Sequence, residues 1–171
     1  MRHEREEEIK ARFCYDAKTG VVMATYAYGR QLVTPRPVGW KTSHGYIRMQ
    51  CGKKHEYAHV IAWVIRNGSL PEKGLRIDHI NRDRSDNREC NLRLVDGSEH
   101  CANRSQNSSC KSGRKGVCWS KRRSMWQMSI QYRGRRITKL FYDLDATANY
   151  YDSCAKNFDE EYFATNAMLS G

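Results

Sequence analysis

Between Arg76 and Asn103 the chain reads RIDHINRDRSDNRECNLRLVDGSEHCAN. Leu75–His79 is β-favouring, as is Leu92–Val95, and between them lies a loop dense in Asn, Asp and Arg. So polar a loop belongs at a surface, which leaves two short strands as partners. Ser98 can cap a helix beginning at Glu99 and ending near Ser105. That helix is weakly apolar, so packing alone should hold it poorly. The expected unit is therefore strand–loop–strand–helix.

The same stretch concentrates chemistry. Asp78 and His79 adjoin, Asn91 opens the second strand, and His100 sits on the helix. A phosphodiester hydrolyses slowly because water is a poor nucleophile and the leaving oxygen builds charge. A neutral imidazole can take the proton of the water while a divalent cation stabilises the phosphate. Asp78 supplies a hard ligand, His79 the base, His100 a second ligand, and Asn91 orients His79 or steadies the loop. Neighbours on a regular strand face opposite ways. Asp78 and His79 serve one phosphate only if the strand ends or bulges there, and the polar run after Ile80 predicts an ending.

The rest of the chain suits a polyanion partner. Its 171 residues are 39% hydrophobic and 29% charged, with a net charge of +11, which predicts two small units rather than one thick core. From Cys101 to Tyr142 there are eleven Lys or Arg and no Asp or Glu. A field of one sign persists best where an anion neutralises it. The charged start, MRHEREEEIK, is no secretory signal and reads as a frayed lead-in or a helical turn. No apolar run is long enough to span a bilayer. Seven cysteines without a Cys-x-x-Cys pair argue against a disulfide framework. Cys51 with His55, or Cys90 with Cys101 and Cys110, could clasp zinc, but free thiols in a reducing cytosol are the better reading.

Upstream, residues 13–16 and 21–23 predict one hairpin, 45–49 and 56–58 a second, and His59–Asn67 a short apolar helix closed by Asn67-Gly68. Leu32–Trp40, with two of the three prolines, predicts an irregular connection. The polar run Ser105–Gly113 predicts a linker. Beyond it, 117–120, 126–132 and 136–141 predict strands and 143–157 a helix. Alternation turns Val117, Trp119, Trp126, Met128, Ile130 and Ile137 toward that helix. It turns Cys118, Ser120, Gln127, Ser129, Gln131, Arg136 and Thr138 outward.

The central stretch resembles the HNH endonucleases, the ββα-metal nucleases common in phages and among homing enzymes. The residues that carry the resemblance are Asp78-His79, Asn91-Leu92-Arg93 and His100, joined by YDAKTGVV, HGYIRM and AHVIAW upstream. It implies His79 as general base with Asn91 as the middle residue of the site. It further implies Asp78 and His100 as ligands of a divalent metal, magnesium first, with manganese or other divalent ions as alternatives. Two departures stand out: Val60 follows His59 where the family has Arg, and Arg82 stands where it has Gly.

Residues 112–158 resemble the three-strand-plus-helix (AP2-like) DNA-binding module of plant ethylene-response factors. That resemblance implies a sheet laid in the major groove of duplex DNA. Arg82, Arg104, Arg114, Lys115, Lys121, Arg122, Arg123, Arg135, Arg136 and Lys139 are the candidate phosphate contacts, and Gln127 and Gln131 the candidates for reading adenine. The acidic residues from Asp143 to Glu161 should lie away from the DNA.

The expected fold is α+β. An HNH ββα-metal core with N-terminal hairpins (1–107) leads through a linker (108–113) to a small three-stranded antiparallel sheet packed on one helix (114–171). The expected function is metal-dependent, sequence-tolerant DNA endonuclease, of a phage homing type, acting on double-stranded DNA in the host cytoplasm, with no membrane and no inferred protein partner. The rivals are a DNA-binding regulator with a decayed nuclease core and an RNA-binding nucleoprotein.

Overall fold

The computed structural model describes residues 2–27, 30–104, 111–159 and 162–166. Among the described residues the fold is α+β, with several small antiparallel sheets and four α-helices. It divides into two compact units, residues 1–95 and 96–171.

The first unit opens with α1 (Arg2–Arg12), longer than the frayed lead-in or helical turn that was expected. Side chains explain the difference. Ile9 is fully buried, Arg5 forms a two-pronged ion pair with Glu56 (both contacts 2.7 Å), and Glu6 accepts the Leu70 amide at 2.8 Å. The helix is held by tertiary contacts rather than by its charged composition. Next come β1 (Phe13–Tyr15), β2 (Val22–Ala27) and β3 (Arg30–Pro37) in one antiparallel sheet. The proline-bearing segment is thus a strand, not an irregular connection. It runs at the sheet edge, where a missing N–H costs no ladder bond, and the register shifts between Ala24 and Tyr26.

The strands β4 (Trp40–Lys41), β5 (Ile47–Cys51) and β6 (Lys54–Tyr57) form a second sheet that leads into α2 (Ala58–Asn67). Gly68, at φ 80°, closes α2 by donating to the Val64 carbonyl at 2.8 Å. Ile9, Phe13, Val22, Met49, Ile61 and Val64 belong to the core, with Leu92 packed against it. Leu92 lies on β8 (Leu92–Val95), which pairs with β7 (Arg76–His79); His79 stands opposite Leu92 and Asp78 opposite Arg93. The expected pair of strands is present, and β7 ends at His79.

The second unit begins with α3 (Gly97–Asn103). Its cap is Asp96 rather than Ser98. The Asp96 carboxylate accepts the amides of Ser98 and Glu99, and the Glu99 side chain accepts the Asp96 amide. This reciprocal pair satisfies donors that a seven-residue helix otherwise leaves to water. Packing also holds α3: Ala102 is buried with Met128, Ile130, Tyr132, Tyr151 and Phe163, and Arg133 bonds Glu99 at 2.7 Å.

The strands β9 (Val117–Ser120), β10 (Met125–Tyr132) and β11 (Arg135–Phe141) form an antiparallel sheet with β10 central, and α4 (Leu144–Asp159) packs on it. Met128, Ile130 and Tyr132 are buried, as alternation predicts. Trp119 has the expected parity but is 47% exposed, lying edge-on to Trp126 at the end of the sheet. Among the described residues no helix is long and apolar enough to cross a membrane. The six described cysteines are free thiols. Half of the expected linker (108–110), with Cys110, Glu160 and Glu161, lies outside the described residues.

Candidate active site around His79

Asp78 and His79 close β7, and both are buried (8% and 4% exposed). The strand stops because the chain turns back at once: the Arg82 amide donates to the His79 carbonyl at 3.0 Å, and the Ile80 amide to the Asn91 carbonyl at 2.9 Å. Arg82 takes the left-handed backbone region at φ 67°. That conformation suits glycine best.

The two asparagines make different contacts, and Asn91 makes those of the second of its two expected roles. The Asn91 side chain steadies the loop, accepting from the Asn81 amide at 2.9 Å and donating to the Asp86 carbonyl at 2.7 Å. Asn87 is the residue seen facing the imidazole, its Oδ1 3.2 Å from His79 Nε2. Asn87 Nδ2 donates to the Ser85 carbonyl at 3.2 Å, so the oxygen is the atom turned to His79. Nε2 then carries the proton and Nδ1 keeps the lone pair.

Asn87 is itself fixed by the first hairpin. Tyr15 Oη donates to its carbonyl at 2.7 Å, and the Glu89 amide donates to the Ala17 carbonyl at 3.1 Å. Gly20, at φ 75°, lies so close that a Cβ there would stand 2.6 Å from the Arg88 nitrogen. The loop is locked internally as well. Arg88 and Asn81 bond Asp86, and the Arg88 contact holds that carboxyl down at about 2.

Aromatic rings wall the other side of His79. His59, at the start of α2, meets it edge-on at 5.2 Å between centroids, and Tyr46 lies 6.0 Å away. Tyr57 stacks on His59 at 5.5 Å. Guanidiniums lie over these rings, Arg48 over Tyr57 (5.7 Å) and Arg84 over Tyr46 (4.9 Å). Arg93 Nη2 stands 3.5 Å from the Asp78 carboxylate. Three guanidiniums thus lie about the carboxylate and the imidazole, among the loop carboxylates Asp83 and Asp86. Sequence reasoning missed Asn87, Tyr46, Arg48 and Arg84. The Asn-rich loop was visible, but nothing in its composition tells which amide faces the base. His59 also forms part of this wall.

Burial lowers the pKa of His79 below the usual histidine range, opposed by Asn87 and by the nearby carboxylates. Burial, with the His79 ring adding to it, pushes His59 down to about 3. His59 keeps some contact with solvent, but Tyr57, Tyr46 and His79 cover its ring, so burial governs its titration. The sign follows directly. Below about pH 6.5 the unfolded chain binds a proton that folded His59 refuses, so stability falls as pH drops from 6.5 toward 3. Unfolding in urea should show a loss of about 2 kcal/mol between pH 7 and pH 5. His59→Gln should flatten that slope; an unchanged slope would remove His59 as its source.

The donors available for a metal can be read from the same geometry. Among the described residues no three His, Cys, Asp or Glu gather to hold an ion by themselves. Asp78 offers a single hard carboxylate, which fits a cation that keeps its waters and takes substrate phosphate oxygens, as magnesium does. His100 lies on α3, in the second unit.

The expected DNA contacts fall into groups. Lys121, Arg122 and Arg123 are exposed in the turn after β9. Arg104 follows α3 and is exposed. Arg136 shares the outer face with Ser129, which it bonds at 3.2 Å, and with Gln131 opposite it; Gln127 has the same parity and is half-buried. Arg135 is exposed opposite buried Tyr132, at the sheet end. Three further cations have partners within the unit. Arg114 pairs with Asp145 at 3.2 Å, the Lys115 ammonium bonds the Ala102 carbonyl, and Lys139 lies 4.5 Å over Tyr150 of α4.

Comparisons with known proteins match part of the chain. Over 78 residues it is 37% identical to Protein 3.8 of Escherichia phage T7, covering 46% of this chain and 64% of that protein. The chain therefore spans somewhat under two thirds of that relative. No solved structure gives a significant match. Residues 56–102, the segment that carries Asp78, His79, Asn91 and His100, match the HNH endonuclease family model.

Proposed function

We propose that the chain is a metal-dependent DNA endonuclease in which His79 is the general base. One observation carries this reading: an imidazole closed off at a strand end, oriented by Asn87 and adjoining a carboxylate, within the segment that matches the family. The lowered pKa keeps it neutral and proton-accepting at pH 7. Water attacks phosphorus, its proton passes to His79 Nδ1, and the bond to the leaving oxygen breaks. Asp78 is the first proposed ligand of a divalent cation, and the family pattern adds His100. The cation, magnesium first, would stabilise charge on the phosphate and leaving oxygen. Asn91 acts by keeping the loop in shape.

The functional division we propose follows the chemistry, 1–107 for cutting and 114–171 for gripping duplex DNA as ethylene-response-factor modules do. Lys121, Arg122, Arg123, Arg135 and Arg136 take phosphates, with Arg104 beside them. A phage homing-type role in a host cytoplasm fits the likeness to a phage protein.

The test is purified protein on supercoiled plasmid, with magnesium, manganese and a chelator. Nicked or linear product with metal, and none with chelator, is expected. Intact plasmid across the metal series, alongside normal binding, would turn the reading to a DNA-binding regulator. Preference for RNA in competition would turn it to a nucleoprotein.

A further inference from the structure

We propose that Arg82 clamps the substrate phosphate at the Asp78–His79 site, a role that rests on the nuclease reading above. Its backbone amide is fixed to the His79 carbonyl at 3.0 Å, so its side chain starts one tight turn from the base. Its Nη1 is closed off from solvent and has no hydrogen-bond partner among the described residues. A buried guanidinium N–H without an acceptor is costly, and a phosphate oxygen is the acceptor such a donor matches best.

The other guanidiniums beside the site differ. Arg84 is committed to the His44 carbonyl and to the Tyr46 ring, and Arg93 to Asp78. Arg48 also has a closed-off nitrogen, but it belongs to β5 and lies over Tyr57. The backbone adds a second argument. Arg82 occupies the left-handed region at φ 67°, where any side chain is strained and glycine is not. A strained arginine beside a reactive pair, its donor unsatisfied by the protein, is a group whose partner arrives with the substrate. As charge develops on the phosphate, a donor already in place strengthens without reorganising.

The same strain makes the test clean, because Arg82→Gly relieves the backbone and removes folding failure as an explanation. Duplex binding is measured in chelator over a salt series, and plasmid cutting separately with magnesium. Arg82→Gly should lower the slope of log affinity against log salt by about one phosphate contact and slow cutting about 100-fold. Arg82→Lys should restore part of both. An unchanged slope overturns the clamp, and so does an unchanged rate in a chain whose wild type cuts. A lowered slope with no cutting by the wild type would sink the nuclease reading and leave the phosphate contact standing.

Discussion

Replacing His79 by alanine should reduce plasmid cutting by about 10³- to 10⁴-fold, the range that loss of a positioned general base produces. Affinity for duplex DNA should stay within about twofold, because the imidazole is buried and neutral and neutralises no phosphate. The measurement is single-turnover cutting beside a binding titration in chelator. Asn87→Ala refines it. That variant keeps the base but frees its ring, so cutting should fall by a smaller factor, about 10- to 100-fold. The acid limb of its pH profile should also move to lower pH, since the Asn87 contact that opposes burial at His79 is gone. Full activity in His79→Ala would remove His79 from the base role. Full activity in Asn87→Ala would leave its contact with the ring without catalytic weight.

How much of this site was legible differs residue by residue. Asp78 and His79 announced themselves, because a carboxylate and an imidazole beside a polar loop are rare chemistry at informative spacing. The end of β7 at His79 was legible too, from the polar run that follows. Asn87 was not. Its neighbours Asn81, Asp86 and Asn91 are chemically equivalent, and which amide meets the ring is decided by Tyr15 and Gly20, about 70 residues upstream in contacts that no local pattern encodes. The full extent of α1 was hidden for the same reason. Its sequence is almost uniformly charged, and only Ile9 and the pairing of Arg5 with Glu56 hold it. The prolines of β3 misled because they forbid a central strand but not an edge one. In the second unit the period-two alternation of β10 was reliable because one face is covered by α4. It failed for the exposure of Trp119, since parity sets direction while burial needs a covering element as well.

Removing residues 112–171 should do more than release a DNA grip. The exposed cations Lys121, Arg122, Arg123, Arg135 and Arg136 all go with the segment. If each neutralises a phosphate, the salt slope should become shallower by about 4, and affinity near 0.1 M salt should fall roughly 10³-fold or more. The same deletion strips α3 of its support. Ala102 loses Met128, Ile130, Tyr132 and Phe163, its carbonyl loses the Lys115 ammonium and the Ala164 amide, and Glu99 loses Arg133. What remains is the Asp96–Glu99 capping box, worth about 1 kcal/mol, on seven residues with few apolar side chains. A helix that short does not persist on a cap alone. Amide exchange at Ala102 and Asn103 should therefore rise to near the unfolded rate in the shortened chain. Cutting should fall with it even though Asp78 and His79 are present, because the ββα pattern has lost its helix. Glu99→Ala with Arg133→Ala in the full-length chain separates the two effects. It leaves the five exposed cations in place while loosening α3, so cutting should drop with the salt slope unchanged. Slow exchange at Ala102 after the deletion would mean that α3 draws its stability from residues before 104, and that the contacts of Ala102 and Glu99 with the downstream sheet are not what holds it.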